Sequence, residues 1–121
     1  MATPLLICDD SNMARKQVAR SLPEDWDVEI TFASNGNEGL QAIREGKGEV
    51  VLLDLTMPDI DGYGVLATIQ KEELNAVVVV ISGDIQPTAK ERVLGMGALD
   101  FIEKPVNKDK LRNVLEAFGL I

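Results

Sequence analysis

The sequence predicts an α/β domain: an open, doubly wound parallel sheet of five strands between two layers of helices, spanning residues 1–121 as a single unit. Three observations predict it. Short aliphatic runs alternate five times with helical patterns, which is the signature of a parallel sheet. Most of these runs lack the polar alternation of a half-exposed strand, as strands covered on both faces do. The chain, at 121 residues, is too short for the eight units of a closed barrel.

Leu5-Leu6-Ile7-Cys8 reads as the first strand. Ser11 then caps a helix carrying Ala14, Val18 and Leu22 on one face, which Pro23 ends. From Val28 to Ala33, Val28, Ile30 and Phe32 alternate with Glu29 and Thr31, the pattern of a strand near a sheet edge. Asn35 to Gly46 is helical, with Leu40 and Ile43 on one face and a glycine where a C-cap belongs. Val50 to Leu53 is the third strand, and Tyr63 to Glu73, with Val65, Leu66 and Ile69, the third helix. Val77 to Ile81 is the fourth strand. A helix follows from Pro87, a favoured first-turn residue, to Gly95 or Gly97. Leu99 to Ile102 reads as a covered fifth strand, and Lys108 to Phe118, repeating Leu111, Val114, Leu115 and Phe118, as the last helix.

Composition removes many functions. With 12 Lys and Arg against 20 Asp and Glu, the net charge of −8 repels phosphate backbones and anionic membranes. The longest apolar run, Ala76 to Ile81, falls far short of a membrane span. A lone cysteine, Cys8, within an aliphatic run fits a reducing compartment and a cytoplasmic location. There is no histidine, so Ser-His-Asp and Cys-His catalysis, His-ligated zinc and imidazole bases are excluded. Any chemistry must run on carboxylates, hydroxyls, lysine or backbone.

In doubly wound sheets ligands sit beyond the carboxyl ends of the strands. Just past the strands stand Asp9 and Asp10, Asp54, Ser82 and Lys104. Two like charges about 4 Å apart repel by roughly 4 kcal/mol at an effective dielectric of 20, so three carboxylates need a cation or a shifted pKa. An all-oxygen donor set selects a hard ion, Mg²⁺ before Mn²⁺ or Ca²⁺. A lysine facing a metal makes sense when an anion lies between them, and a phosphoryl group, also bonded by the Ser82 hydroxyl, fits that gap. Asp54, on the central third strand, is then the candidate nucleophile, since carboxylates form aspartyl phosphates, and Asp9-Asp10 the candidate metal-holding pair.

These residues, with Leu52-Leu53-Asp54-Leu55-Thr56-Met57-Pro58-Asp59-Ile60-Asp61-Gly62, Ser82-Gly83 and Lys104-Pro105, resemble the receiver domains of two-component response regulators, particularly the single-domain chemotaxis type. The resemblance covers the whole chain in order. It implies a CheY-like, flavodoxin-like three-layer sandwich with strand order 2-1-3-4-5. It also implies Asp54 as phosphoacceptor, Mg²⁺ held by Asp10, Asp54 and the Thr56 carbonyl, and Asp9 acting directly or through a water. Ser82, Gly83 and Lys104 would bind the phosphoryl group, and the Lys104-Pro105 bond would be cis. Phe101 would be the aromatic switch residue moving with Ser82. The side chains of Thr56 and Asp84 would set the lifetime of the phosphoryl group. The implied protein is a signalling switch rather than a classical enzyme. It would be a monomer phosphorylated by a histidine kinase, signalling to an effector through the face of the fourth helix, fifth strand and fifth helix, with no nucleic acid or membrane partner.

Met57, Pro58 and Gly62 read as turn chemistry, and Asp59 and Asp61 as added negative field. Trp26 falls at the start of the second strand, on the edge away from the acids. A phosphatase of the haloacid dehalogenase type would want a carboxylate two residues after the nucleophile, where this chain has Thr56, and a flavodoxin-like electron carrier would find its phosphate repelled by Asp9-Asp10. The receiver half of a longer regulator remains open at the level of sequence.

Overall fold

The computed structural model describes residues 2–84 and 86–121. Strands and helices alternate without exception: β1 (Thr3–Cys8), α1 (Asn12–Arg20), β2 (Val28–Ala33), α2 (Gly36–Arg44), β3 (Val50–Leu53), α3 (Gly62–Lys71), β4 (Val77–Ser82), α4 (Pro87–Gly95), β5 (Asp100–Glu103) and α5 (Lys108–Ala117). The strands form one parallel sheet in the order β2-β1-β3-β4-β5.

Period-two side-chain alternation splits each central strand between two cores. Leu6, Cys8, Val51, Leu53, Val78 and Val80 pack with Leu40, Ile43, Val65, Leu66 and Val93 of α2, α3 and α4. Leu5, Ile7, Val50, Leu52, Val79 and Ile81 pack on the other face with Val18 of α1, Leu22, and Leu111 and Leu115 of α5. Continuous aliphatic runs are thus what a sheet with helices on both faces requires.

Polar side chains start most of the helices. Ser11, Asn35, Asp61 and Asn107 accept from the amides of Ala14, Glu38, Gly64 and Lys110 respectively. The exception is α4, whose N-cap Gln86 makes no side-chain capping bond and which relies on Pro87 in its first turn.

Two expectations need correction, and the edge-strand reading of β2 holds with a consequence for its exposure. Leu22 lies beyond α1, which ends at Arg20 with Ser21 as C-cap; it is buried all the same, because the turn before Pro23 folds it under the sheet. The fifth strand is not covered: of its residues only Ile102 is buried, as an edge position allows. On β2, Ile30 and Phe32 pair with the buried Leu5 and Ile7 yet are 38% and 51% exposed. They lie on the α1 side of the sheet, whereas the helix that packs against β2 is α2, on the other side.

Gly36 opens α2 where a Cβ would lie 2.2 Å from the Ile60 carbonyl oxygen and 2.7 Å from the Ile60 Cβ. This contact sets the distance between the start of α2 and the loop after β3. Gly83, by contrast, faces open space. Gly36→Ala should cost about 3 kcal/mol in urea unfolding, the upper part of the overpacking range. Gly83→Ala should change stability by less than about 0.5 kcal/mol.

Candidate functional site

The ladder of the sheet extends into the site. The Asp9 amide donates to the Ala33 carbonyl at 3.0 Å, the Asp54 amide to the Cys8 carbonyl at 2.9 Å, and the Lys104 amide to the Ser82 carbonyl at 2.8 Å. Each of these residues stands one step past its strand but remains fixed by a neighbouring strand. Side chains at the ends of β1, β3 and β5 are therefore brought to one place by backbone pairing rather than by loop packing.

One carboxylate oxygen each of Asp9, Asp10 and Asp54 lies within 4.8 Å of the others. Asp9 and Asp54 are buried, while Asp10 is open to solvent. The Lys104 ammonium bonds Asp9 Oδ2 at 2.9 Å and Asp54 Oδ1 at 3.3 Å. Asp9 Oδ1 accepts from the Ser11 amide at 2.9 Å, and the Arg15 guanidinium donates to the Asp9 carbonyl at 2.6 Å. The donor set is all oxygen, two of its acids are buried, and one lysine pairs with those two. These properties fit a hard divalent cation held by Asp9, Asp10 and Asp54.

The protonation equilibria express the same imbalance. Burial, and then the charge of Asp9, raise the Asp54 pKa above its ordinary value despite the opposing pull of Lys104. For Lys104, burial opposes the charged form, but the hydrogen bond to Asp9 and the charges of Asp54 and Asp9 outweigh it and the pKa is raised. Beneath the cluster, the Cys8 thiol contacts Met57 Sδ at 3.6 Å and the Asn35 carbonyl at 3.5 Å. Desolvation, with the charges of Asp9 and Asp54, pushes its pKa up to about 12.

The remaining expected residues flank this cluster. Ser82 is buried at the end of β4, and its hydroxyl accepts from the Asp84 amide at 3.1 Å. Gly83, Asp84 and Thr56 are exposed. The Lys104-Pro105 peptide is cis. Phe101 is half-buried and lines, with Asp84, Gln86, Pro87, Lys90 and Glu103, a groove of about 200 Å³ between α4 and β5. Trp26 packs half-buried in the α1–β2 connection, against the α1 and α5 core.

Asp59, whose charge is felt at Cys8 as the added-field reading expects, and Asp61 also have structural partners. Asp61 caps α3. The Asp59 carboxylate turns to the start of α2, accepting from the Gly36 amide at 3.2 Å and from Asn37 Nδ2 at 2.7 Å. Sequence reasoning missed this tie, as it missed Arg15 over the Asp9 carbonyl. The Pro-Asp turn signal was visible for Asp59, but its partners lie 22 and 23 residues away.

The sequence matches the profile of the response regulator receiver domain over residues 5–116, and the chain belongs to that family, whose members are signalling switches rather than classical enzymes. It is 35% identical to the chemotaxis protein CheY of Listeria monocytogenes over 113 residues, 93% of this chain and 94% of that one. It is 36% identical to the cell cycle response regulator CtrA of Brucella ovis over 107 residues, 88% of this chain but 45% of that protein. Among solved structures, the CheX-CheY-BeF3-Mg²⁺ complex of Borrelia burgdorferi superposes with a TM-score of 0.83 at 31% identity, covering 94% of this chain and 87% of that one. Among the described residues, no helix is long and apolar enough to cross a membrane.

A raised carboxyl pKa means that the folded state holds the Asp54 proton more tightly than the unfolded chain. The contribution of Asp54 to stability is present below its ordinary value of 3.8 and is lost as pH rises through the raised folded value. At neutral pH the ionised group therefore destabilises the metal-free protein. Asp54→Asn should raise the metal-free melting temperature at pH 7 by about 3 °C, the shift that about 0.5 to 1 kcal/mol produces in a domain of this size. The gain should vanish at acidic pH, where wild-type Asp54 is itself neutral.

Proposed function

We propose that the protein is a phosphorylation-dependent switch that accepts a phosphoryl group on Asp54 from the phosphohistidine of a histidine kinase, with Mg²⁺ bound. The observation that carries this reading is the convergence of Asp9, Asp10 and Asp54 at the carboxyl edge of the sheet, with the Lys104 ammonium paired to Asp9 and Asp54. The Asp10 and Asp54 carboxylates and the Thr56 carbonyl would hold the ion, with Asp9 acting directly or through a water. Bound there, Mg²⁺ neutralises charge on the transferring phosphoryl group.

The chain's own residues supply the rest. A carboxylate oxygen of Asp54 attacks phosphorus in line. The new O–P bond forms as the P–N bond to the donor imidazole breaks, and the electron pair leaves with that nitrogen. Lys104, already drawn to the two buried acids, exchanges part of that pairing for a phosphoryl oxygen. The Ser82 hydroxyl and the Gly83 amide would serve as further donors to it. The modified residue carries about −2 charge. Movement of Ser82 toward it would open space for half-buried Phe101, coupling the site to the surface of α4, β5 and α5, where an effector protein would bind. Exposed Thr56 and Asp84 flank the approach of water and would tune hydrolysis.

A second reading, that the domain regulates a further output domain, is favoured by the match to the Brucella ovis regulator, which spans 45% of that protein. It shares the phosphoryl chemistry and differs in the recipient of the signal.

With Mg²⁺ and acetyl phosphate, the protein should incorporate up to one phosphoryl group per chain, labile to hydroxylamine as an acyl phosphate is. Asp54→Asn should abolish labelling, and Asp10→Asn should reduce it by at least about 100-fold at millimolar Mg²⁺, the upper end of the effect of weakened metal sites. Full labelling of Asp54→Asn would overturn the assignment.

A further inference from the structure

The span between β3 and α3 carries the Thr56 carbonyl, and its shape is set from three directions. Its base is closed by the Gly62 amide, which donates to the Leu55 carbonyl at 2.9 Å; Gly62 sits so close that a Cβ would lie 2.5 Å from the Asp54 carbonyl oxygen. Met57 points inward, buried against the Cys8 thiol. At the tip Asp59 adopts a φ of 62°, a left-handed conformation that aspartate tolerates better than most side chains.

Both oxygens of Asp59 are engaged. Oδ1 accepts from the Gly36 and Ile60 amides, and Oδ2 from the Asn37 side chain. Gly36 leaves no room for a side chain between α2 and Ile60, so loop and helix touch backbone to backbone. These bonds, with the Asn37 contact, hold the Asp59 pKa below its ordinary value. Thr56 and Pro58 are exposed, while Met57 and Asp59 on either side are tied to other elements.

We propose that Asp59 is a positioning residue for the cation site: by latching the loop to the start of α2, it presets the Thr56 carbonyl without ligating the ion itself. This rests on the assignment of Mg²⁺ to the Asp10, Asp54 and Thr56 site. The physical reason is preorganisation. A loop fixed before binding leaves little ordering entropy to be lost when the ion arrives, and groups that orient ligands typically change metal affinity by about 10- to 100-fold.

The test is a Mg²⁺ titration followed by the rise in melting temperature in the wild type, Asp59→Gly, Asp59→Asn, Asn37→Ala and Asp10→Asn. Asp59→Gly fits the left-handed backbone but has no acceptor, so it separates latching from loop strain. It should need about tenfold more Mg²⁺ for half-maximal stabilisation. Asp59→Asn, which keeps an acceptor and tolerates the same φ, should stay within about twofold of wild type. Asn37→Ala, a surface change that leaves the loop sequence intact, should shift the midpoint in the same direction by a smaller factor. Faster amide exchange across residues 56–60 in metal-free Asp59→Gly would accompany the weaker binding. If the wild type responds to Mg²⁺, Asp10→Asn does not, and Asp59→Gly titrates like the wild type, the latch is overturned and the metal assignment survives. If the wild type shows no Mg²⁺ response, or Asp10→Asn responds as the wild type does, the metal assignment falls and the latch falls with it.

Discussion

Three carboxylates against one ammonium is the constraint on which the carboxyl edge of this sheet depends. Two of the acids are buried, and Lys104 reaches both. Burial and the charge of Asp9 drive Asp54 toward neutrality, while pairing with lysine pulls it back toward charge. The metal-free arrangement is thus a compromise in which Lys104 serves as an internal counterion. In the proposed reading, a divalent cation would relieve the acids more completely and free the lysine for a different anion. Receiver chemistry needs that exchange of partners, and the resting ion pairs already contain it.

The precision of the cluster comes from the backbone. Because Asp9, Asp54 and Lys104 are each held by an amide that continues the strand ladder, their relative positions are properties of the sheet. The fourth helix is held differently. It alone of the five has no side-chain cap, and it is tied toward α3 by the Arg92 guanidinium stacked 3.8 Å over the centre of the Tyr63 ring, a contact worth about 0.5 to 1 kcal/mol at an exposed site.

Much of this was legible in the sequence. Alternating aliphatic runs and helical patterns predicted the doubly wound sheet, because burial on both faces leaves no polar alternation. The residues past the strands predicted the edge cluster, because position in a parallel sheet fixes which end a residue occupies. What failed was local and had physical causes. Leu22 keeps a helical spacing although the helix stops before it. Asp59 looked like surface charge because hydrogen bonds spanning 22 and 23 residues leave no mark in a local pattern.

The thiol beneath the site has a consequence for the kind of signal this domain can receive. Cys8 lies directly before two aspartates, where a reactive sulfur would expose the switch to cellular oxidants. With its pKa pushed up to about 12 and its sulfur buried against Met57 and the Asn35 carbonyl, only on the order of one molecule in 10⁵ carries thiolate at neutral pH, and thiolate is the form that peroxide attacks. Burial first, and the negative field of Asp9 and Asp54 after it, therefore keep the sulfur quiet beside a site open to solvent at Asp10.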